Sequence, residues 1–198
     1  QLARPVYHVG FLDVALKVLR SVCFHCSRLR LDKADIKYKR ALMIKNPKTR
    51  LNYIHEQCRN SKKCVFGTGD LEAGMELDGG GAGGGLAGGE DGNASGCGGL
   101  LPKFTKTGLQ VEVEYPPEMD DVPRSGDRRQ YLSASKVHEI FKNISEEDMK
   151  VLGLNPQYSR PDWLIITVLP VPPPHVRPSV ALDAGARSED DITHQLVS

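Results

Sequence analysis

Cys23-Phe24-His25-Cys26, answered far along the chain by Cys64 and by Gly96-Cys97-Gly98-Gly99, is the stretch on which the organisation of this sequence turns. Two residues between Cys23 and Cys26 let both sulfurs face one ion, and zinc takes four soft or nitrogen ligands in a tetrahedron while tolerating long loops between ligand pairs. A quartet of Cys23, Cys26, Cys64 and Cys97 would therefore tie three distant segments together. Cys58 is a spare thiol, and His25 is a further donor whose neighbours already hold the ion. A C-x-x-C pair also suits redox chemistry, but no strand leads into it and no βαβ pattern surrounds it. Disulfides are the third reading, against which stands the odd count of five cysteines.

Outward from the first pair, Phe11, Leu12, Ala15, Leu16, Val18 and Leu19 form a one-sided stripe, so a helix is predicted to run into Cys23. Asp32 is placed to cap a second helix through about Lys45. Asn46-Pro47 reads as a cap followed by proline at the first helical position, opening a third helix through about Cys58 with Leu51 and Ile54 on one face. From Lys17 to Lys63 there are 14 Lys and Arg against three acids, a balance of +11 in a chain of net charge +1. Such a lobe could lie near phosphates or could be a solvated helix surface.

Gly67 to Gly99 is dominated by glycine, alanine and acids and offers almost nothing to bury, so residues 68–95 are expected to be a disordered insertion. No G-x-x-x-x-G-K-[ST] pattern makes a phosphate cradle of it. Beyond it, Leu109, Val111, Val113 and Tyr115 alternate with polar residues, the period of a sheet with one wet face. Ser133 or Ser135 opens a helix carrying Val137, Ile140, Phe141 and Ile144. Ser145-Glu146-Glu147-Asp148 resembles a capping box for a short helix ending at Gly153. These two helices read as a packed pair rather than a DNA-reading motif. Trp163 to Leu169 is apolar except for Thr167 and is expected to be a strand buried on both faces. The prolines after it predict a rigid extended rod that presents Arg177, and Ser188-Glu189-Asp190-Asp191 looks like the start of another helix. The fold class is accordingly α+β, a zinc-stapled helical module with a small sheet. At 198 residues with 39% hydrophobic content the core is small, which gives a metal staple a purpose. No apolar run reaches the roughly 18 residues of a membrane span.

Arg160-Pro161-Asp162-Trp163, Leu169-Pro170-Val171-Pro172-Pro173-Pro174 and Val176-Arg177-Pro178-Ser179 resemble the largest subunit of the multisubunit DNA-directed RNA polymerases, in wording most like the eukaryotic polymerase II branch. Ala3 to Phe11, the Cys23–Cys26 pair, Cys58, Cys64, Gly96-Cys97-Gly98, Val137 to Lys142 and Asp190 to Leu196 agree in the same order. The likeness covers nearly the whole chain apart from residues 68–95 and 116–130.

The resemblance implies that this region is the clamp, a module that closes over the DNA cleft and holds DNA and the DNA–RNA hybrid during transcription. It implies a structural zinc on Cys23, Cys26, Cys64 and Cys97, with Cys58 outside the ligand set. It divides the chain into a zinc-organised module (residues 1–67 and 96–115), the insertion (68–95) and a part carrying the helix pair, the strand and the proline segment (116–198). The aspartates that bind catalytic magnesium in that family are absent from these residues, so no catalytic residue is assigned and the chain reads as a piece of a longer nucleotidyltransferase. Asp120-Asp121 and Asp190-Asp191 are read as a solvated loop and a helix start, not as a metal pair. Implied partners are the other polymerase subunits, the second-largest above all, together with DNA and the hybrid, in the nucleus and away from membranes. The alternatives are a stand-alone zinc-binding interaction module and the equivalent subunit of polymerase I or III.

Overall fold

The computed structural model describes residues 1–65, 96–119, 127–181 and 187–197. The insertion expected at 68–95 and the Asp120-Asp121 pair lie outside the described residues. In chain order the elements are β1 (Val6–Tyr7), α1 (Leu12–Ser21), α2 (Ile36–Met43), α3 (Pro47–Cys58), β2 (Lys103–Thr107), β3 (Gln110–Glu114), β4 (Arg129–Tyr131), α4 (Ala134–Lys142), α5 (Glu146–Val151), β5 (Ile165–Ile166), β6 (Val180–Ala181), β7 (Arg187–Ser188) and α6 (Asp191–Val197). Helices beside small antiparallel sheets bear out the α+β class. They fall into two compact units, Arg4–Ile166 and a smaller one of Gln1–Ala3 with Thr167–Ser198.

In the larger unit the helices follow their local signals closely. α1 buries Leu12, Ala15, Leu16, Val18 and Leu19. α3 begins at Pro47, with the Asn46 side chain accepting from the amides of Lys48 and Thr49, and buries Leu51, Ile54 and Cys58. Ser133 rather than Ser135 caps α4, accepting from the amide of Lys136. The second helix differs from its expected start. Asp35 caps α2 by accepting from the amide of Lys37, because Asp32 spends its carboxylate on the amide of Ala34 in the preceding turn.

The sheet has the order β2-β3-β4, all antiparallel, with Phe104 opposite Val113 and Lys106 opposite Val111. Val111, Val113 and Tyr115 are buried as their period predicts, but Leu109 is 63% exposed. Thr107 pairs with Gln110, so Gly108 and Leu109 are the two central residues of a hairpin turn, and Gly108 takes the positive φ (61°) that its first position demands. One core joins α1, α3, the sheet, α4 and α5, centred on Leu12, Leu19, Ile54, Val111, Val137, Phe141 and Met149.

The Trp163–Leu169 run corrects its expectation. Pro161–Leu164 is a 3-10 turn, Ile165–Ile166 is a two-residue strand paired with Tyr7 and Val6, and only Ile165 of the run is buried. Trp163 is 56% exposed and Val168 62%. Pro161, whose fixed φ suits the first position of the turn, opens a 3-10 segment that takes in Trp163 and Leu164, the first two residues of the expected strand.

In the smaller unit β6 pairs with β7, and Leu2 donates its amide to the carbonyl of Thr167. The proline segment is not a straight rod: the amides of Val176 and Arg177 turn back to the carbonyls of Pro173 and Pro174. Arg177 then donates to the Pro172 carbonyl and the Thr193 hydroxyl. No helix among the described residues is long and apolar enough to cross a membrane.

Candidate metal centre

The first half of the site is built at the end of α1. The chain leaves the helix at Val22, and Val22 bridges Leu29 across a tight loop. Inside that loop the amide of Cys23 donates to the Arg28 carbonyl (2.8 Å) and the amide of Ser27 returns to the Cys23 carbonyl (3.0 Å). Ser27 takes a left-handed φ of 59°, which turns the chain sharply enough for both sulfurs to face one point. The His25 amide lies 3.4 Å from Cys23 Sγ. Phe24 packs on Phe104 and Tyr115, with ring centroids at 6.0 and 6.4 Å, which anchors the loop to the sheet.

The second half joins two segments. Lys63 bridges Leu100, the amide of Cys64 donates to the Gly99 carbonyl (3.0 Å), and the amide of Gly98 donates to the Cys64 carbonyl (2.9 Å). The approach is so close that a Cβ at Gly96 would run into the backbone of Cys64. Backbone pairing thus does for Cys64 and Cys97 what a two-residue spacer does for Cys23 and Cys26.

The four sulfurs lie within 4.8 Å of one another, a group that could hold a metal ion. Cys23 Sγ is 3.6 Å from Cys97 Sγ and Cys26 Sγ is 3.9 Å from Cys64 Sγ. A tetrahedron with metal–sulfur bonds of about 2.3 Å has edges of about 3.8 Å, whereas a disulfide needs about 2.05 Å. The cysteines are free thiols, so the disulfide reading has no support here. Burial pushes the Cys64 thiol up to about 11 and Cys23 higher still. Cys97 meets a burial cost too, but the Gly99 amide and the thiols of Cys23, Cys64 and Cys26 hold it below its ordinary value. A dication among these sulfurs would take the place of their protons.

His25 stands aside, its ring nitrogen 2.8 Å from the Leu100 carbonyl. Cys58 also stands apart, fully buried on the inner face of α3, where desolvation pushes its thiol up to about 12. Two residues beside the site carry no distinguishing signal in the sequence. Asp148 looks like one acid of a capping box, and Ser145 does accept from its amide at 3.2 Å, but the buried Asp148 carboxylate accepts from the amide of Leu29 (3.1 Å). Arg30 is one of 14 cations in its run, and only the fold singles it out.

Four thiols brought together by two hairpin-like loops on an α+β frame form a group that could hold a metal ion, and the chain belongs to the family described as RNA polymerase Rpb1, domain 1, whose model matches residues 1–198. It is similar to DNA-directed RNA polymerase II subunit RPB1 of Euplotoides octocarinatus, with 38% identity over 195 residues. That match covers 98% of this chain and 37% of the relative. The resemblance drawn from the Arg160–Trp163 and Leu169–Ser179 motifs is thereby borne out.

Proposed function

We propose that this chain forms the zinc-organised part of the clamp in the largest subunit of RNA polymerase II, with Cys23, Cys26, Cys64 and Cys97 as the ligands of one structural zinc. The observation that carries the proposal is the convergence of four thiols from three segments, in a chain matched along its full length by the family model. The zinc supplies folding energy by closing those segments. Residues 1–67 and 96–115 make up the zinc-organised module, and 116–198 complete the clamp core. The chemistry of joining ribonucleotides, and the magnesium that serves it, belong to residues outside this chain. The second-largest subunit and the other subunits are its protein partners, and the nucleus is its place of work.

The clamp reading assigns the chain a sequence-independent hold on DNA and the DNA–RNA hybrid. Residues 36–55 contain Lys37, Lys39, Arg40, Lys45, Lys48 and Arg50 and no acid. Ion pairs such as Lys33–Glu147, Lys106–Asp13 and Arg129–Glu114 lie elsewhere, and Lys39, Arg40, Lys45 and Lys48 have no carboxylate partner among the described residues. Binding of a labelled DNA–RNA hybrid, titrated against salt, tests this. Affinity should fall with log salt at a slope of about 0.9 per phosphate neutralised and should not depend on sequence. Affinity indifferent to salt would remove the nucleic-acid part of the proposal, and a chain without bound zinc would remove the metal part.

A further inference from the structure

Arg50, in the first turn of α3, is held by two carbonyls from other segments. Its Nε donates to the Ile44 carbonyl at 2.8 Å and one terminal nitrogen donates to the Lys150 carbonyl at 3.0 Å. The other terminal nitrogen has no protein partner among the described residues, and neither Arg50 nor Lys150 is in an ion pair there. Both line a cleft of about 530 Å³ between the start of α3 and the end of α5, together with Glu146 and the apolar walls of Pro47, Leu154 and Pro156. That volume falls within the range of ligand-binding clefts, about 300–1,000 Å³.

The cleft is held in shape by its own backbone. Gly153 takes a φ of 82°, and a Cβ there would lie 2.9 Å from the Pro47 carbonyl, so the chain leaving α5 sits directly on the start of α3. The rim beyond it is a closed turn. The Asn155 side chain accepts from the amides of Gln157 (2.9 Å) and Tyr158 (3.4 Å), and the Ser159 amide returns to the Asn155 carbonyl (2.8 Å). A guanidinium already fixed by two carbonyls loses little freedom when it meets a third group, so its remaining donors are pre-organised for an anion.

The surroundings select among anions. Residues 36–55 carry six cations and no acid, so the field around the cleft favours a negative partner. A phosphate backbone has no use for the walls of Pro47, Leu154 and Pro156. Nor has it a use for Met43, which is 80% exposed and directly precedes the residue whose carbonyl holds Arg50. A carboxylate beside an apolar side chain uses both kinds of surface.

We infer that this cleft is a docking site for an acidic peptide segment of a partner protein. An Asp or Glu carboxylate of the segment meets the remaining donors of Arg50, with Lys150 as a second cation, and a neighbouring apolar side chain lies against the proline and leucine walls. The inference goes beyond the clamp reading and does not depend on the zinc ligands.

Its test uses the full chain and three labelled probes read by fluorescence anisotropy: the end-blocked peptide Glu-Leu-Asp-Asp-Leu-Glu, its uncharged counterpart Gln-Leu-Asn-Asn-Leu-Gln, and a DNA–RNA hybrid. Wild type should bind the acidic peptide saturably and the uncharged one more weakly. Arg50→Gln should weaken the acidic peptide about ten-fold, the size of one lost charge-assisted hydrogen bond, and by a larger factor than it weakens the hybrid. Equal binding of the two peptides, or an Arg50→Gln chain that binds the acidic peptide as wild type does, overturns the inference. Weakening of peptide and hybrid by the same factor also overturns it, since the cleft would then be part of a phosphate-binding surface. If Arg50→Gln does not fold, Lys150→Gln, at an exposed side chain, decides by the same comparison. A wild-type chain that binds no hybrid would remove the nucleic-acid reading alone and leave the two peptides to decide this one.

Discussion

The amide of Leu29 donates to the carboxylate of Asp148 at 3.1 Å, and this bond between buried groups fastens α5 to the return limb of the first cysteine loop. Asp148→Ala should leave the Leu29 amide buried without an acceptor, which costs about 1–3 kcal/mol. Asp148→Asn keeps an oxygen that can accept and should cost less. Chemical unfolding of the zinc-loaded proteins checks the order, and an alanine variant as stable as wild type would refute it.

Gly96→Ala addresses the other half of the site. The new Cβ meets the backbone of Cys64, which cannot swing away as a side chain could, so the 96–99 segment must shift and strain its hydrogen bonds to Cys64. Destabilisation of about 1–3 kcal/mol is expected, with weaker metal retention. Gly98→Ala meets no atom within 4 Å and suffers only from its φ of 72°, so it should cost about 1 kcal/mol. Melting temperatures with metal content measured alongside distinguish the two.

Thiol substitution separates ligand from spare. Cys64→Ser should abolish stoichiometric zinc, while Cys58→Ser should keep one ion per chain despite losing about 1–3 kcal/mol from a buried hydroxyl that finds no partner. Elemental analysis decides, and equal zinc in both variants would contradict the ligand set. In the wild type, chelation should expose four thiols to an aromatic disulfide reagent at once. The fifth, Cys58, should react only on unfolding.

Alkaline pH gives Cys58 a second signature. Its folded pKa of about 12 lies above the ordinary thiol value of 9.0, so its contribution to stability is complete below pH 9.0 and is lost as pH rises towards 12. The loss approaches about 1.4 kcal/mol per pH unit in that window. Cys58→Ala should flatten this limb of the unfolding free energy relative to wild type. Parallel curves for the two proteins would show that the thiol does not titrate in this way.

Legibility in the sequence followed the range of the determining interaction. The starts of α3, α4 and α5 are set by Asn46, Ser133 and Ser145 acting within three residues, and those cap signals are visible in the chain. The convergence of Cys23, Cys26, Cys64 and Cys97 was legible because thiol chemistry limits what four cysteines can do together. Asp32 and Asp35 are both competent caps, and only the turn between them decides which is used. Leu109 obeys the strand period yet sits in a turn, because Gly108 before it takes the hairpin position. At Trp163–Leu169 composition announced a wish for burial without naming a partner, and Pro161 had already imposed a turn. Arg30 donates to carbonyls ten and 31 positions away, a relation no local pattern encodes.

With zinc on the four cysteines, as proposed above, the partition of ligands along the chain would also order events at the ribosome. Cys23, Cys26 and Cys64 are translated first, and Cys97 follows 33 codons after Cys64 (97 − 64). At roughly 5–20 residues per second that is a delay of about 2–7 s. Through that interval a nascent chain would carry three candidate thiolates and a gap in any coordination sphere they form, open to water, to oxidants or to another soft ion. If the quartet holds zinc, fidelity of metallation then turns on which ligand reaches the gap first, and Cys97, delivered by pairing of its glycine-flanked segment with Cys64, has to win that race.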